Sequence, residues 1–371
     1  MSTPPADTSL DILALEPWYA GSHKDFLDGL IAHSRHRIRP YTLAGRFWKW
    51  RQSGSGLILA NRVLMDRPLC DLVFSSDFTH LSDFMALTRK ALPNAGVVVY
   101  FHENQLSYPL LAEHRMDKAY AHFNMSAAAV ADQVWFNSPY HMESFFSDLE
   151  QLLIASPDHR PRGLEQQIAD KARVMPLGVD LAGLAPPPGS RREGPLTLLW
   201  NHRWEHDKNP EAFFNALFTL ADEDVPFEVI VCGQSFRRMP EVFDTARERL
   251  GERIVHWGYE PDRAVYAGLL ARADVVVSMA RHDFFGVSVV EAMHAGCLPL
   301  LANRLNYPNL VPEAEHNTCL VADEVALKRT LRSLAKDPAP CRDGRATKWV
   351  ASYDWAHMAP RFDAAFRDAG E

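Results

Sequence analysis

A chain of 371 residues is too long for one ordinary hydrophobic core and suits two domains of average size. Its 47% hydrophobic and 23% charged content is that of a soluble globular protein; no run reaches membrane-span length, and the N-terminal MSTPPADTSLDILAL lacks the basic start and apolar stretch of a signal peptide. A net charge of −8 weighs against nucleic acid as a partner, and five scattered cysteines (Cys70, Cys232, Cys297, Cys319, Cys341) with no C-x-x-C spacing argue against a disulfide framework or structural zinc and for a reducing cytoplasm.

In chain order, short apolar runs alternate with helical patterns, as in parallel sheets covered by helices. Strands are expected at Leu10–Leu15, Leu72–Ser75, Val97–Phe101, Val134–Phe136 and Arg173–Met175, with helices such as His23–His33 and Tyr140–Ile154 between them. The Pro- and Gly-rich Gly183–Pro195 reads as an interdomain linker. A second alternation follows, with strands Leu196–Trp200, Phe227–Cys232, Ile254–Trp257, Val275–Met279, Leu298–Ala302 and Cys319–Val321. Helices Pro210–Ala221, Pro240–Leu250, Asp262–Ala271 and Val289–Ala295 connect them, and a last helix near Trp355–Arg367 follows a polar break. The expected organisation is a domain at 1–184, a second at 195–345, and a segment 346–371 whose helix crosses back to the first. Two doubly wound domains facing each other would place a ligand cleft between the carboxyl ends of their sheets.

Arg281–Leu300 is the most informative stretch. A strand end leads into a polar loop with one glycine, Gly286, and then a helix bounded by Gly296; Asp283 and Glu291 bracket the loop with seven residues between them. A helix N-terminus offers unpaired N–H groups to an anion, while an acid one turn inside would bind a sugar diol and repel phosphate. That combination fits a nucleotide-sugar, but it also fits a plain βα turn with a solvated Glu291, and the spacing does not choose. After Leu196–Trp200, Arg203 and Lys208 flank a short loop capped by Asn209-Pro210, where two cations suit a diphosphate leaving group. His202 and His206 lie in a loop without a third ligand, so metal binding there is rejected. Glu16–Lys24 forms another small-residue loop before a helix, with Gly21, Ser22 and His23 at its turn, and it lacks the G-x-G-x-x-G pattern. His102-Glu103-Asn104-Gln105 ends a strand, where His102 could meet a sugar hydroxyl or a transferring proton. Asp222-Glu223-Asp224 matches D-x-D but sits at the opposite end of its sheet and reads as solvated acid. No Ser-His-Asp grouping supports hydrolysis.

Between Arg35 and Arg67 lie eight basic residues (Arg35, Arg37, Arg39, Arg46, Lys49, Arg51, Arg62, Arg67) and one acid, Asp66, with Trp48 and Trp50 interleaved. Such a patch can track phosphates while rings stack on bases. Composition alone favours a plain solvated face.

These residues resemble known families at two levels. Arg203/Lys208 is similar to the R-x4-K pair, and Asp283/Glu291 to the E-x7-E motif, of the large retaining glycosyltransferases of the GT-B architecture, family 4, with the first Glu replaced by Asp. In the first half EPWYAGSHK, YTLAGRFWKWR, YFHENQLSYP, FNSPYHMESF and PDHRP, continued by HDFFGVSVVEAMHAGC and NYP, resemble the tRNA-queuosine α-mannosyltransferases over most of the chain. The resemblance implies a GT-B fold and transfer of mannose from GDP-mannose to the cyclopentene diol of queuosine in a tRNA anticodon, with retention and without a metal or other cofactor. It implies that Arg203 and Lys208 hold the diphosphate, Glu291 the ribose and Asp283 the sugar hydroxyls, with the backbone of Phe285, Gly286 and Val287 lining the sugar site. Gly21 and Ser22 would join the donor site and His102 would lie near the donor sugar. His23, Arg46, Trp48, Lys49, Trp50, Arg51, Glu103, Asn104 and Gln105 would meet the tRNA. Asp283 is shorter than Glu by about 1.5 Å of reach, so donor identity is the least constrained of these readings. A family-4 enzyme acting on a glycan, lipid or small metabolite is the alternative.

Overall fold

The computed structural model describes residues 9–107, 118–185, 193–236 and 239–370. Of the expected linker, residues 186–192 lie outside them. The chain forms two compact units, one comprising the chain up to Gly178 together with Trp355 onward, the other Val179–Asp354.

The first unit holds six parallel strands: β1 (Asp11–Tyr19), β2 (Arg37–Ala44), β3 (Leu72–Ser76), β4 (Gly96–Phe101), β5 (Gln133–Phe136) and β6 (Ala172–Val174), in the order β2-β1-β3-β4-β5-β6. Residues 12–15 of β1 and all of β3 are buried, as expected for strands covered on both faces. β2 was absent from the sequence reading. It is an edge strand whose Arg37, Arg39 and Pro40 are exposed, so it carries no apolar run, and its edge position tolerates the proline. The basic stretch then becomes the helix Trp48–Asp66, also unforeseen, because Gly54 and Gly56 disguise it. They are there for close packing: a Cβ at Gly56 would lie 2.3 Å from the His80 carbonyl oxygen.

The helix Trp355–Gly370 belongs to this unit. Trp355 fits against two glycines, since a Cβ at Gly29 or Gly178 would fall 2.1 or 2.4 Å from its ring. Buried Asp363 accepts hydrogen bonds from Ser34 Oγ at 2.6 Å and from Arg35 Nε at 3.2 Å, tying the helix to the segment ahead of β2.

The second unit has strands β7 (Leu196–Asn201), β8 (Phe227–Cys232), β9 (Ile254–Gly258), β10 (Val275–Ser278), β11 (Leu298–Ala302) and β12 (Leu320–Val321), ordered β12-β11-β10-β7-β8-β9. Cys319 ends a short helix instead of opening the last strand. In each sheet the winding reverses once, between β1 and β3 and between β7 and β10. Such switch points leave a crevice at the strands' carboxyl ends. The residues singled out from Glu16, His102, Arg203 and Asp283 onward all leave strands at these two places or beside them.

Candidate functional site

In the second unit, the loop after β7 meets the loop after β10. The Lys208 ammonium is nearly buried, donates to the His282 carbonyl at 2.7 Å, and lies 3.3 Å from Asp207 Oδ2 and 3.9 Å from Asp283 Oδ2. Asn209 adopts a left-handed φ of 53° before Pro210 opens the next helix, and its side-chain amide donates to the Met279 carbonyl at 3.0 Å, lashing the two loops together. Burial opposes ionisation of Asp283, but Lys208 and the backbone N–H of Phe285, which donates to its Oδ1 at 3.3 Å, outweigh it and hold the carboxyl below its usual range. Burial, then Lys208, push both His202 and His282 down to about 4. The Nε2 of His202 is buried without a hydrogen-bond partner. This part of the site therefore has one deep cation among neutral imidazoles.

Gly286 stands at the N-cap of the helix Val287–His294 with φ +98°, where any side chain would be strained. Glu291, one turn into that helix, is not the solvated residue that a plain βα turn would leave. Its Oε1 accepts from Arg263 at 2.7 Å and its Oε2 from the Tyr266 hydroxyl at 3.0 Å, and Arg263 also donates to the Asp180 carbonyl at 2.6 Å. Asn201 Nδ2 at the end of β7 donates to the Ser288 carbonyl at 2.8 Å. Arg263, Tyr266 and Tyr307 escaped the sequence reading; Tyr307 of NYP donates to Asp283 at 3.4 Å, so only its spacing beyond the loop hinted at a role. Arg203 is half-exposed beside Glu205 at 3.2 Å and does not share the burial of Lys208. The backbone of Phe285 is spent inside the loop, its carbonyl accepting from Asn306 at 3.0 Å, which leaves Gly286 and Val287 as the open part of the helix start.

In the first unit, the carboxyl ends of β1, β3 and β4 converge. His23, on the first turn of the helix Gly21–His33, is buried and not a surface RNA contact: its Nδ1–H donates to Glu16 Oε2 at 3.0 Å. Its ring lies 4.3 Å from that of His102, centroid to centroid. The His102 N–H donates to Asp77 Oδ1 at 2.9 Å, and Asp77 Oδ2 is buried with no hydrogen-bond partner. Burial opposes a charge on His23, but Glu16 foremost, then Asp77 and Glu103, raise it to about 9. Burial, then the neighbouring His23, hold His102 well below its usual value. Glu16 opens the Glu16–Lys24 segment and Asp77 follows Ser75-Ser76, but neither matches a site motif, so neither was given a role from the sequence.

Asn104 is fully buried, its Oδ1 accepting from the N–H groups of Leu106 and Ser107 at 3.0 and 2.8 Å, so it shapes the loop, and its Nδ2 is buried without a hydrogen-bond partner. Gln105 donates to Glu103 at 3.2 Å, and its own N–H is held by Asn124 Oδ1 at 2.7 Å. Gly21 begins the helix at φ +51° with open space around it, and Ser22 is exposed. For a metal, Glu16, His23 and His102 are the group the described residues bring together, with one atom from each inside 4.8 Å. The Glu16–His23 hydrogen bond already joins two of those three.

The basic segment divides. Arg37 pairs with Asp11 at 2.7 Å, Arg35 with Asp363, and Arg51 and Arg62 donate to the Ala44 and Thr42 carbonyls at 3.1 and 3.0 Å. Around the helix start, Phe47, Trp48 and Trp50 are 72%, 40% and 55% exposed, an unusual display of aromatic surface. Arg46 lies over the Phe47 ring and Lys49 over that of Trp48, at 5.9 and 5.6 Å. Asp222 and Glu223 of the D-x-D sequence pair with Arg249 and Arg332, at 2.8 and 2.7 Å.

Residues 11–179 match the family described as tRNA-queuosine alpha-mannosyltransferase N-terminal, and residues 186–348 match glycosyl transferases group 1. A tRNA-queuosine alpha-mannosyltransferase of Drosophila melanogaster is 33% identical over 81% of this chain and 82% of its own length. A GDP-mannose:cellobiosyl-diphosphopolyprenol alpha-mannosyltransferase of Xanthomonas oryzae is 24% identical over 92% of this chain and 84% of its own. Among solved structures, Anabaena HepE in complex with UDP superposes with TM-score 0.70 at 16% identity, covering 97% of this chain and 100% of that one. Sucrose-phosphate synthase of Thermosynechococcus elongatus gives 0.73 at 16% identity, covering 97% and 98%. These structural likenesses carry the fold, the GT-B class.

Proposed function

The chain belongs to the tRNA-queuosine α-mannosyltransferase family and is a glycosyltransferase; from that premise we propose that it moves mannose from GDP-mannose to the cyclopentene diol of queuosine in a tRNA anticodon, with retention and without a metal. The observation that carries the proposal is the match of residues 11–179 to the N-terminal family of such enzymes, because that half holds the features that differ from a generic sugar-nucleotide enzyme. In this reading the donor's diphosphate sits against Lys208 and Arg203 and over the open helix start at Gly286 and Val287. Glu291 takes the ribose hydroxyls, sharing its oxygens with Arg263 and Tyr266, and Asp283 takes the sugar hydroxyls. Single-stranded anticodon bases stack on Trp48 and Trp50 while Arg46 and Lys49 meet phosphates, which gives a protein of net charge −8 a local basic and aromatic surface for RNA. No described helix is long and apolar enough to cross a membrane; with tRNA as the acceptor, the proposed reaction takes place in the cytoplasm.

Incubation with GDP-mannose and queuosine-containing tRNA, followed by nucleoside mass analysis, tests the reading; one hexose on queuosine is expected. Because the Xanthomonas relative is named for a lipid-linked acceptor, a cellobiosyl-diphospho lipid is assayed in parallel. Transfer to the lipid and none to the tRNA overturns the proposal. Transfer to tRNA from another sugar nucleotide, and not from GDP-mannose, overturns the donor.

A further inference from the structure

We infer that Tyr307 is a positioning residue for the donor sugar: its hydroxyl, anchored on Ser278, holds the Asp283 carboxylate where the sugar hydroxyls meet it. The inference rests on the assignment of Asp283 to the sugar proposed above. Tyr307 follows β11 in the NYP segment and is fully buried. Its hydroxyl lies 2.7 Å from Ser278 Oγ and 3.4 Å from Asp283 Oδ2. A carboxylate only accepts, so the tyrosine O–H donates to Asp283 and the serine O–H donates to the tyrosine oxygen. Burial, then the Asp283 charge, keep the phenol proton in place well above its ordinary range, so the donor is present at any working pH. Ser278 is the buried last residue of β10, and the relay therefore starts from the sheet itself.

The same side chain supports the other end of the loop. A Cβ on Gly286 would lie 3.4 Å from Tyr307 Cε1, so the ring packs directly against the glycine at the helix start. The neighbouring Asn306 donates to the Phe285 carbonyl at 3.0 Å. One short segment thus backs Asp283, Phe285 and Gly286, the stretch assigned to the sugar. Asp283 needs that support because it has a competing partner. Its Oδ2 lies 3.9 Å from the Lys208 ammonium, and a carboxylate that turned fully onto the lysine would leave the sugar. The Phe285 N–H holds Oδ1 at 3.3 Å, and the tyrosine holds Oδ2 against the pull of the lysine. A carboxylate has room for about four donors, so one held in this way still accepts sugar hydroxyls.

The test is a double-mutant cycle on the full-length protein with Y307F, D283A and the two combined. Y307F keeps the ring against Gly286 and removes the hydroxyl alone. Transfer to queuosine tRNA is followed with GDP-mannose and with analogues that each lack one sugar hydroxyl. D283A is expected to lose about 10- to 100-fold in kcat/KM, the scale of a hydrogen bond to a charged group, and to erase the penalty that one analogue shows in wild type. Y307F is expected to lose about tenfold, to shrink the penalty of that same analogue and of no other, and to bind GDP as wild type does. The combined variant should match D283A within about twofold, because Tyr307 acts through the carboxylate. Losses that multiply in the combined variant, or penalties in Y307F that change alike for every analogue, would overturn the inference, since a tyrosine that only packs the loop treats all donors the same. Wild-type discrimination that survives in D283A takes Asp283 off the sugar, and the donor reading falls together with the role of Tyr307. If no transfer to queuosine tRNA occurs, the acceptor reading fails by itself, and the same cycle is read from calorimetric Kd values for GDP-mannose and its analogues. Failure of wild type to bind any of them overturns the donor reading and the inference with it.

Discussion

Both switch points bury histidines among charged side chains, yet the outcomes are opposite. Beyond β7 and β10, burial and then Lys208 push His202 and His282 down to about 4, so the deepest charge is the ammonium. Beyond β1 and β3, burial is outweighed by Glu16 and the carboxylates behind it, and His23 is driven up to about 9. The strand end supplies the burial in both places; the sign of the nearest partner decides the charge. A cation-centred crevice with an open helix start suits a diphosphate, whereas one built on the Glu16–His23 pair, beside an Asp77 whose carboxyl burial holds well above its usual range, suits hydroxyls. In the proposed reading the diphosphate belongs to the crevice with the buried cation.

Removing the cation is the strongest way to break that contrast. Lys208→Met should lower kcat by about 100- to 1,000-fold, the scale of losing one preorganised group that stabilises developing charge. It should leave tRNA affinity unchanged. It should also let the His202 and His282 pKa values climb from about 4, because Lys208 is the main charge holding them down. Turnover within a few-fold of wild type would take the diphosphate away from this crevice. The complementary change is Trp50→Ala, expected to raise the KM for tRNA by about tenfold, the loss of one base–ring stack, with the KM for GDP-mannose unmoved. Equal effects on both substrates would show that the exposed aromatics support the fold and not the RNA.

How much of this could be read in the sequence differs between the two crevices. In the second unit, R-x4-K and D-x7-E lie on loops contiguous with their strands, so Lys208, Asp283 and Glu291 were visible as candidates, although the spacing did not choose between a nucleotide-sugar site and a plain βα turn. What spacing could not supply was the partner from another element: Arg263 and Tyr266 reach Glu291 from a helix 25 to 28 residues earlier. In the first unit, the β1, β3 and β4 ends were legible as apolar runs, but Glu16 and Asp77 match no motif and acquire meaning only when three strands are laid in register. β2 and the helix after it were illegible for a different reason. An edge strand needs only half its residues apolar, and a helix packed closely enough to require Gly54 and Gly56 loses the composition by which helices are recognised.

The opposite histidine charges also predict opposite dependences of stability on pH. His23, whose folded value of about 9 exceeds 6.5, contributes stability that is fully present below pH 6.5 and is lost as pH rises through 9. His202, lowered to about 4, makes the folded state bind fewer protons than the unfolded chain between 6.5 and 4, so stability falls as pH drops through that window. Thermal melts should show His23→Gln destabilised by a few degrees at pH 6 and indistinguishable from wild type near pH 10. His202→Gln should instead lose less stability than wild type between pH 6.5 and 4.5. The same pH dependence in both variants would erase the contrast between the two units.

The smallest effect sharpens where the RNA surface begins. Lys49 lies over the Trp48 ring at 5.6 Å with no carboxylate partner among the described contacts, whereas Arg62 spends its guanidinium on the Thr42 carbonyl at 3.0 Å. A cation that meets phosphate releases counterions on binding, so its removal lowers the slope of log affinity against log salt by roughly 0.7 for a single strand. Lys49→Ala should therefore weaken tRNA binding about threefold near physiological salt and flatten that slope, while Arg62→Ala should leave the slope nearly as it was. If both variants flatten it equally, the whole run from Arg35 to Arg67 acts as a diffuse field, and the aromatic helix start has no special standing. If only Lys49 does, phosphate contact is confined to the place where exposed rings and unspent cations coincide, which is what an anticodon loop with unstacked bases requires.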